Sequence, residues 1–222
     1  MKLVHPDLSR QIVFQNYKPC EWIIESPHLF GKYVQELRRQ AAGEEGGFVI
    51  SEGEKEYDIS KCVEIITDPL NVNINEKKIL TKLYSELEKI AYGEALFVLT
   101  QETLCNLQRY FSELEQVSPY ILHIGEGVQM LNLFKSLEVQ MEDYAENYLE
   151  RIDQYIKIVT ELLKRKLLVM INIRSYFDDE QLKQLMNNAA YNEINILLIE
   201  SIQRNLMDGL SRYIIDIDGC EI

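Results

Sequence analysis

Short apolar runs and turn signals alternate along the first third of the chain. Residues 12–14, 22–24 and 48–50 (IVF, WII and FVI) are rich in β-forming side chains, and polar or glycine-rich stretches such as AAGEEGG at 41–47 separate them. Apolar runs of this length, bounded by turn residues, predict short strands over roughly the first 65 residues.

Helical periodicity replaces that pattern in the middle of the chain. Over residues 75–92 apolar side chains recur every three or four positions, which predicts an amphipathic helix with Asn75 as its N-cap. A second helix is predicted over 101–117 and ends at the Ser-Pro pair 118–119. Residues 127–166 contain no proline and no internal glycine, so they predict one long helix or two nearly continuous ones.

Buried strands return in the last third of the chain. Residues 166–172, 194–201 and 212–218 are continuous apolar runs, and the helix predicted between the first two has a capping box of Asp178 and Gln181. Continuous apolar strands separated by a helix are typical of a parallel sheet.

The two strand-rich ends of the chain therefore have to meet in one domain. The fold class predicted is α/β, with a mainly parallel sheet in a head domain formed by residues 1–69 and 159–222. A helical leg domain, residues 70–158, is predicted as an insertion between the two parts of the head.

Residues 23–37, IIESPHLFGKYVQEL, have the layout of a phosphate-binding loop: an apolar strand, a loop with a Gly-Lys pair, and a helix. A working loop requires GxxxxGK[ST], but Ser26 replaces the first glycine and Tyr33 replaces the hydroxyl residue. The later strand that should end in a metal-binding acid ends in Asn172. We therefore expect a degenerate P-loop-like topology without ATP hydrolysis, although an ordinary strand–turn–helix with an exposed Lys32 fits equally well.

Composition excludes several classes of protein. No apolar stretch is long enough to span a membrane, and Pro6 and Asp7 stand where a signal peptide would carry its apolar core, so we expect a cytoplasmic protein. The four cysteines are far apart and form no CxxC pair, which argues against zinc and against a disulfide framework. The three histidines, His5, His28 and His123, have no cysteine or acidic partner at ligand spacing.

Charge limits the ways in which the chain could bind nucleic acid. The 36 acidic and 23 basic residues give a net charge of −13, so contact with DNA requires a local group of lysines. Lys78, Lys82 and Lys89 fall within roughly 40° of one another on the predicted 75–92 helix and could meet a phosphate backbone. The alternative is a solvated helix face balanced by nearby glutamates.

Acidic residues are also concentrated in the predicted long helix. Four glutamates follow one another at intervals of four residues: Glu138, Glu142, Glu146 and Glu150. On one helical ridge these carboxylates repel one another, and a bound Ca²⁺ would relieve the repulsion. An exposed acidic face in a generally acidic protein is the alternative.

The order of these parts resembles the small CRISPR-associated protein of type II-A systems that is needed for acquiring new spacers. Residues 130–142, 156–172, 177–201 and 212–218 carry the resemblance, from MLNLFKSLEVQME to RYIIDID. The resemblance implies an α/β head related to P-loop kinases and ABC-type ATPases, a degenerate nucleotide site, and an inserted leg. It also implies a ring of four chains that encircles double-stranded DNA, prefers free ends, ignores sequence, is held by Ca²⁺ and catalyses no reaction.

The function predicted is therefore sequence-independent binding of double-stranded DNA ends by a homotetramer during CRISPR adaptation, together with other adaptation proteins. The lysines expected in the ring channel are Lys78, Lys82, Lys89 and Lys135, with Lys164 and Lys166 as a second choice. The expected calcium ligands are Glu126, Glu138, Glu142 and Glu146. Two alternatives stay open: a nucleotide-dependent ATPase or phosphotransferase that uses Lys32, and a protein-binding scaffold without DNA contact.

Overall fold

The computed structural model describes residues 1–125 and 127–222. The chain divides into two compact units, of which the first comprises residues 1–74 and 143–222 and the second residues 75–142. Every strand that the structure describes belongs to the first unit.

The elements follow one another in chain order. The strands are β1 (Lys2–Val4), β2 (Ile12–Val13), β3 (Cys20–Ile24), β4 (Val49–Glu52), β5 (Lys55–Tyr57), β6 (Val63–Ile66), β7 (Leu167–Ile171), β8 (Asn195–Glu200) and β9 (Ser211–Ile215). The helices are α1 (Pro27–Ala41), α2 (Ile59–Cys62), α3 (Lys77–Ala91), α4 (Phe97–Val117), α5 (Met130–Ser136), α6 (Tyr148–Glu161) and α7 (Asp179–Tyr191). Single 3₁₀ turns occur at Pro69–Asn71 and Ile173–Ser175.

The first unit contains two sheets. In the described part of the chain, five strands lie side by side in the order β6-β7-β8-β3-β9, and all neighbouring pairs are parallel. A smaller antiparallel sheet has the order β2-β1-β4-β5. The predicted α/β class with a parallel sheet is confirmed, whereas the separate antiparallel sheet could not be seen in the pattern of short N-terminal strands.

Both faces of the parallel sheet are covered. Every residue of β7 and β8 is buried, because parallel strands need packing layers on both sides. One face carries an aromatic core in which the ring centre of Trp22 lies 5.4 Å from Tyr33 of α1 and 6.2 Å from Phe48. Helices α6 and α7 pack against each other, and α7 packs on β8.

The prediction of one long helix or two nearly continuous ones over residues 127–166 is wrong, because α5 ends at Ser136 and α6 begins only at Tyr148. Glu138 has a left-handed φ of 51° just after the end of α5. The side chains of Asp143 and Asn147 accept hydrogen bonds from the backbone N–H groups of Ala145 and Glu150, so they close turns and start α6 anew.

The elements of the second unit that the structure describes are the helices α3, α4 and α5. Helices α3 and α5 pack together, with the rings of Tyr84 and Phe134 6.2 Å apart. Asn75 does not cap α3 as predicted; the N-cap is Glu76. Instead the Asn75 amide donates to the Met141 carbonyl and accepts from the Met141 N–H, both at 2.9 Å, which ties the two ends of the unit together.

The second unit is shorter than the predicted leg. It spans residues 75–142, whereas the leg was predicted over 70–158, and α6 belongs to the first unit. That these residues act as the inserted leg domain implied by the resemblance stays a prediction.

Candidate functional site

A lysine ridge formed by Lys78, Lys82 and Lys89 lies along α3. The Nζ atom of Lys78 lies 3.1 Å from Glu76, and the Nζ atoms of Lys82 and Lys89 lie 3.9 and 2.8 Å from the same Glu86 oxygen. The three lysine side chains are 41, 46 and 65% exposed. The helix thus presents its lysines to solvent, each held by a neighbouring glutamate.

These ion pairs are weak enough to be exchanged for phosphate contacts. Exposed pairs of this kind contribute no more than about 1 kcal/mol, since water screens both charges. Lys135 lies in the last turn of α5, which packs against α3, and its side chain is exposed. The second unit therefore contains the four lysines first expected to contact DNA.

The second predicted lysine group belongs to the first unit. Lys164 is exposed with a left-handed φ of 57°. The Nζ atom of Lys166 lies 4.5 Å from the ring centre of Tyr57, 3.2 Å from its hydroxyl and 3.8 Å from Glu52. The hydrogen bond to Tyr57 raises the pKa of Lys166, so the side chain stays protonated. Its ammonium group already has partners in Tyr57 and Glu52.

The acidic residues expected to bind Ca²⁺ do not form the helical ridge that suggested them. Glu138, Glu142 and Glu146 lie in the non-helical stretch between α5 and α6, and Glu126 lies outside the described residues. Glu150 belongs to α6, where its carboxylate accepts from the Glu146 N–H at 2.9 Å. Among the residues that the structure describes, no three His, Cys, Asp or Glu side chains are close enough to hold a metal ion.

The Gly-Lys pair of the P-loop-like stretch lies inside a helix. Only Glu25 and Ser26 separate β3 from α1, so Gly31 and Lys32 stand in helical conformation. Lys32 donates to Asp7 at 2.6 Å, which raises the pKa of the lysine and lowers that of the aspartate. A loop whose amides could surround a phosphate is absent from this described stretch, and a degenerate P-loop topology stays a prediction.

A buried charge cluster that the sequence pattern missed lies on β3. Glu21 is fully buried, and its carboxylate lies 2.7 Å from Arg174 Nη1 and 2.6 Å from Arg212 Nε. Arg174 also donates to Asp179 at 3.0 Å and to the Asn205 carbonyl at 3.1 Å. Removing one member would leave a buried charge without its partner, so loss of any single side chain of this cluster is expected to destabilise the fold.

Glu200 adjoins this cluster at the carboxyl end of β8. It is 2% exposed, and the backbone N–H of Arg174 donates to it at 3.1 Å. Burial raises the pKa of Glu200 from 4.5 to about 7, and the nearby Glu21 adds to that effect. The sequence did carry a signal for this cluster. Glu21 lies inside the apolar strand CEWII and Glu200 at the end of NILLIE, where an isolated charge is costly and so indicates a buried partner.

His5 has an acidic partner in the fold, although none stands at ligand spacing in the sequence. Its Nε2 lies 3.2 Å from both carboxylate oxygens of Glu36, which also accepts from the Gly47 N–H at 2.6 Å. The ring packs against Tyr33 and Phe48. A partner 31 residues away could not be read from local spacing.

No helix in the described part of the chain is long and apolar enough to cross a membrane.

Comparisons with known proteins identify the family. The family model described as CRISPR-associated protein (Cas_Csn2) matches residues 40–219. The chain is 23% identical over 158 residues to CRISPR-associated protein Csn2 of Enterococcus faecalis, covering 68% of each protein. It is 24% identical over 154 residues to CRISPR-associated protein Csn2 of Streptococcus agalactiae, covering 69% of this chain and 68% of that protein.

The α/β fold and these matches define a CRISPR-associated protein. The chain belongs to the Csn2 family, and the predicted relationship to the protein of type II-A systems is confirmed.

Proposed function

We propose that the protein binds the ends of double-stranded DNA, independently of sequence, as a closed homotetrameric ring that acts in CRISPR adaptation. The observation that carries the proposal is the lysine ridge of α3, in a chain of the Csn2 family. Binding is driven by phosphate contacts, so it falls steeply as salt concentration rises. In such a ring, four copies of the lysine ridge line the channel. The acidic residues that give each chain its net charge of −13 face away from it.

Exposed apolar side chains on α4 support self-association. This helix is 21 residues long, and Thr100 is its one buried residue within the described part of the chain. Phe97, Val98 and Leu99 near its start are 49, 66 and 60% exposed. Apolar surface of this extent is typical of an interface.

The proposal assigns no catalytic activity to the protein. Support comes from α1, where the Gly-Lys pair is helical and Lys32 is bound to Asp7. Calcium dependence is retained from the resemblance alone, since the described acidic residues as arranged do not form a metal-binding group. Cytoplasmic location and docking to other adaptation proteins belong to the same proposal.

The test is a mobility-shift comparison of one duplex in linear and closed circular form, at two salt concentrations, with and without Ca²⁺. We expect binding to the linear form, loss of binding at higher salt, and no binding to the circle. Equal binding to both forms would contradict the ring.

Matched charge reversals locate the site on the molecule. One variant changes Lys78, Lys82 and Lys89 to Glu; the control makes the same change at three exposed lysines of the first unit, Lys18, Lys61 and Lys183. We expect only the first variant to lose DNA binding. Light scattering on the wild type should give a mass of about four times 26.0 kDa.

A further inference from the structure

A groove of about 740 Å³ runs along the first unit beside helices α6 and α7. Three carboxylates line it, those of Glu150, Asp153 and Glu161, and Lys157 is the one basic side chain in the described lining. This volume is in the range of sites that hold a small molecule or a short peptide. The lining therefore favours a positively charged occupant.

Of the three carboxylates in the groove, Asp153 is the one that we expect to contact a bound cation. It is half-buried and accepts a hydrogen bond from the Asn188 amide at 2.9 Å, with Gln184 as a second donor. Among the described residues no lysine, arginine or histidine forms an ion pair with it. Burial raises its pKa, and the nearby Glu150 adds to the effect. A cation at this point would compensate a charge that the chain itself leaves uncompensated.

Two tyrosines expose their rings at the same groove. Tyr144 and Tyr191 are 68 and 87% exposed, and both line it. Aromatic faces attract guanidinium and ammonium groups and pack against their aliphatic stems. Carboxylate and aromatic groups together match arginine or lysine side chains better than any neutral ligand.

We propose that the groove beside α6 and α7 binds a basic segment of a different protein, with an arginine or lysine side chain against Asp153 and the rings of Tyr144 and Tyr191 along its sides. A nucleic acid is disfavoured because its phosphates would meet the three carboxylates. A second copy is disfavoured because self-association is assigned to the exposed apolar residues of α4, in the second unit. The groove belongs to the first unit and the lysine ridge to the second, so variants of one leave the residues of the other unchanged.

The test uses a fluorescent peptide, Ala-Arg-Ala-Arg-Ala, with the citrulline peptide of the same length as a neutral probe. Fluorescence anisotropy on the full chain should give binding of the arginine peptide only. Asp153→Asn should weaken that binding about tenfold, the loss expected for one charge-assisted hydrogen-bonded pair. The control is Glu180→Gln, which removes the same charge from an exposed position on α7 outside the groove and should leave binding unchanged.

Two further measurements test whether the peptide binds in the groove or is attracted to the acidic protein as a whole. Tyr191→Ala removes a ring too exposed to affect folding and should weaken the peptide about threefold, a loss within the range of one exposed cation–π contact. In NMR spectra the side-chain amide signals of Asn188 should shift as the arginine peptide is added. Equal weakening by Asp153→Asn and Glu180→Gln, or no binding of the arginine peptide, would overturn the proposal.

Discussion

Glu200 is expected to make the protein more stable at mildly acidic than at alkaline pH. In the unfolded chain its carboxyl ionises near 4.5, but burial in the folded protein raises its pKa to about 7. Between these values the folded state holds a proton that the unfolded state has lost. The contribution to the free energy of unfolding is therefore fully present below pH 4.5 and is lost as the pH rises through about 7.

The size of the effect follows from the two pKa values. An interval from 4.5 to about 7 corresponds to about 3 kcal/mol of differential stability. Glu200→Gln has nearly the same shape, and its carbonyl oxygen can still accept from the Arg174 N–H. The variant should therefore match the wild type near pH 4.5 and exceed its free energy of unfolding by about 3 kcal/mol at pH 8.5.

Urea unfolding followed by the fluorescence of Trp22, the one tryptophan, measures this difference across the pH range. Glu180→Gln serves as the control, because it changes the net charge equally at an exposed site and should give a pH-independent difference. A constant difference between Glu200→Gln and wild type from pH 4.5 to 8.5 would refute the reasoning, since it would mean that Glu200 titrates alike in both states.

Three further changes test other parts of the structure. Asn75→Ala removes both hydrogen bonds to Met141 and should cost about 1–3 kcal/mol; hydrogen exchange at the Met141 amide should accelerate, and an unchanged rate would contradict the tie. Gly31→Ala adds a methyl group with nothing within 4 Å and should raise the free energy of unfolding by about 0.5–1 kcal/mol in urea, whereas a loss would point to a hidden clash. Glu86→Gln frees Lys82 and Lys89, so it should strengthen binding of linear duplex roughly fivefold in a mobility shift; no change would mean that phosphate does not meet these lysines.

Elements with an unambiguous period were predictable. The apolar runs of β7 and β8 and the capping box of α7 are local properties, and each forms where it was expected. The amphipathic pattern of α3 likewise needed no knowledge of the rest of the chain. Local side-chain chemistry decided these segments, so sequence was sufficient.

Elements that depend on competition or on distant partners were not predictable. Residues 137–147 have helical composition, but the turns at Asp143 and Asn147 outcompete the helix. Gly31-Lys32 was expected in a loop because a motif was assumed, whereas Pro27 starts the helix four residues earlier. Asn75 was expected to cap α3, but it binds the backbone 66 residues away.

The candidate site was likewise predictable only in part. The positions of the three ridge lysines on one helix followed from a period of 3.6 residues, but their glutamate partners and the charge cluster around Glu21 are tertiary. Arg174 and Arg212 are 153 and 191 residues from that carboxylate. No local pattern indicates which buried charges will meet.

The position of β3 between β8 and β9 has a consequence for biosynthesis. Trp22 is synthesised well before Ile199 and Tyr213, the residues with which it pairs. Until then the apolar residues of β3 and the carboxylate of Glu21 have neither their neighbouring strands nor their arginines. Folding of the first unit therefore has to wait for the synthesis of β8 and β9 and is expected to be slow, as for other proteins rich in distant contacts. Nascent chains stalled before residue 195 should be sensitive to protease and bind chaperones.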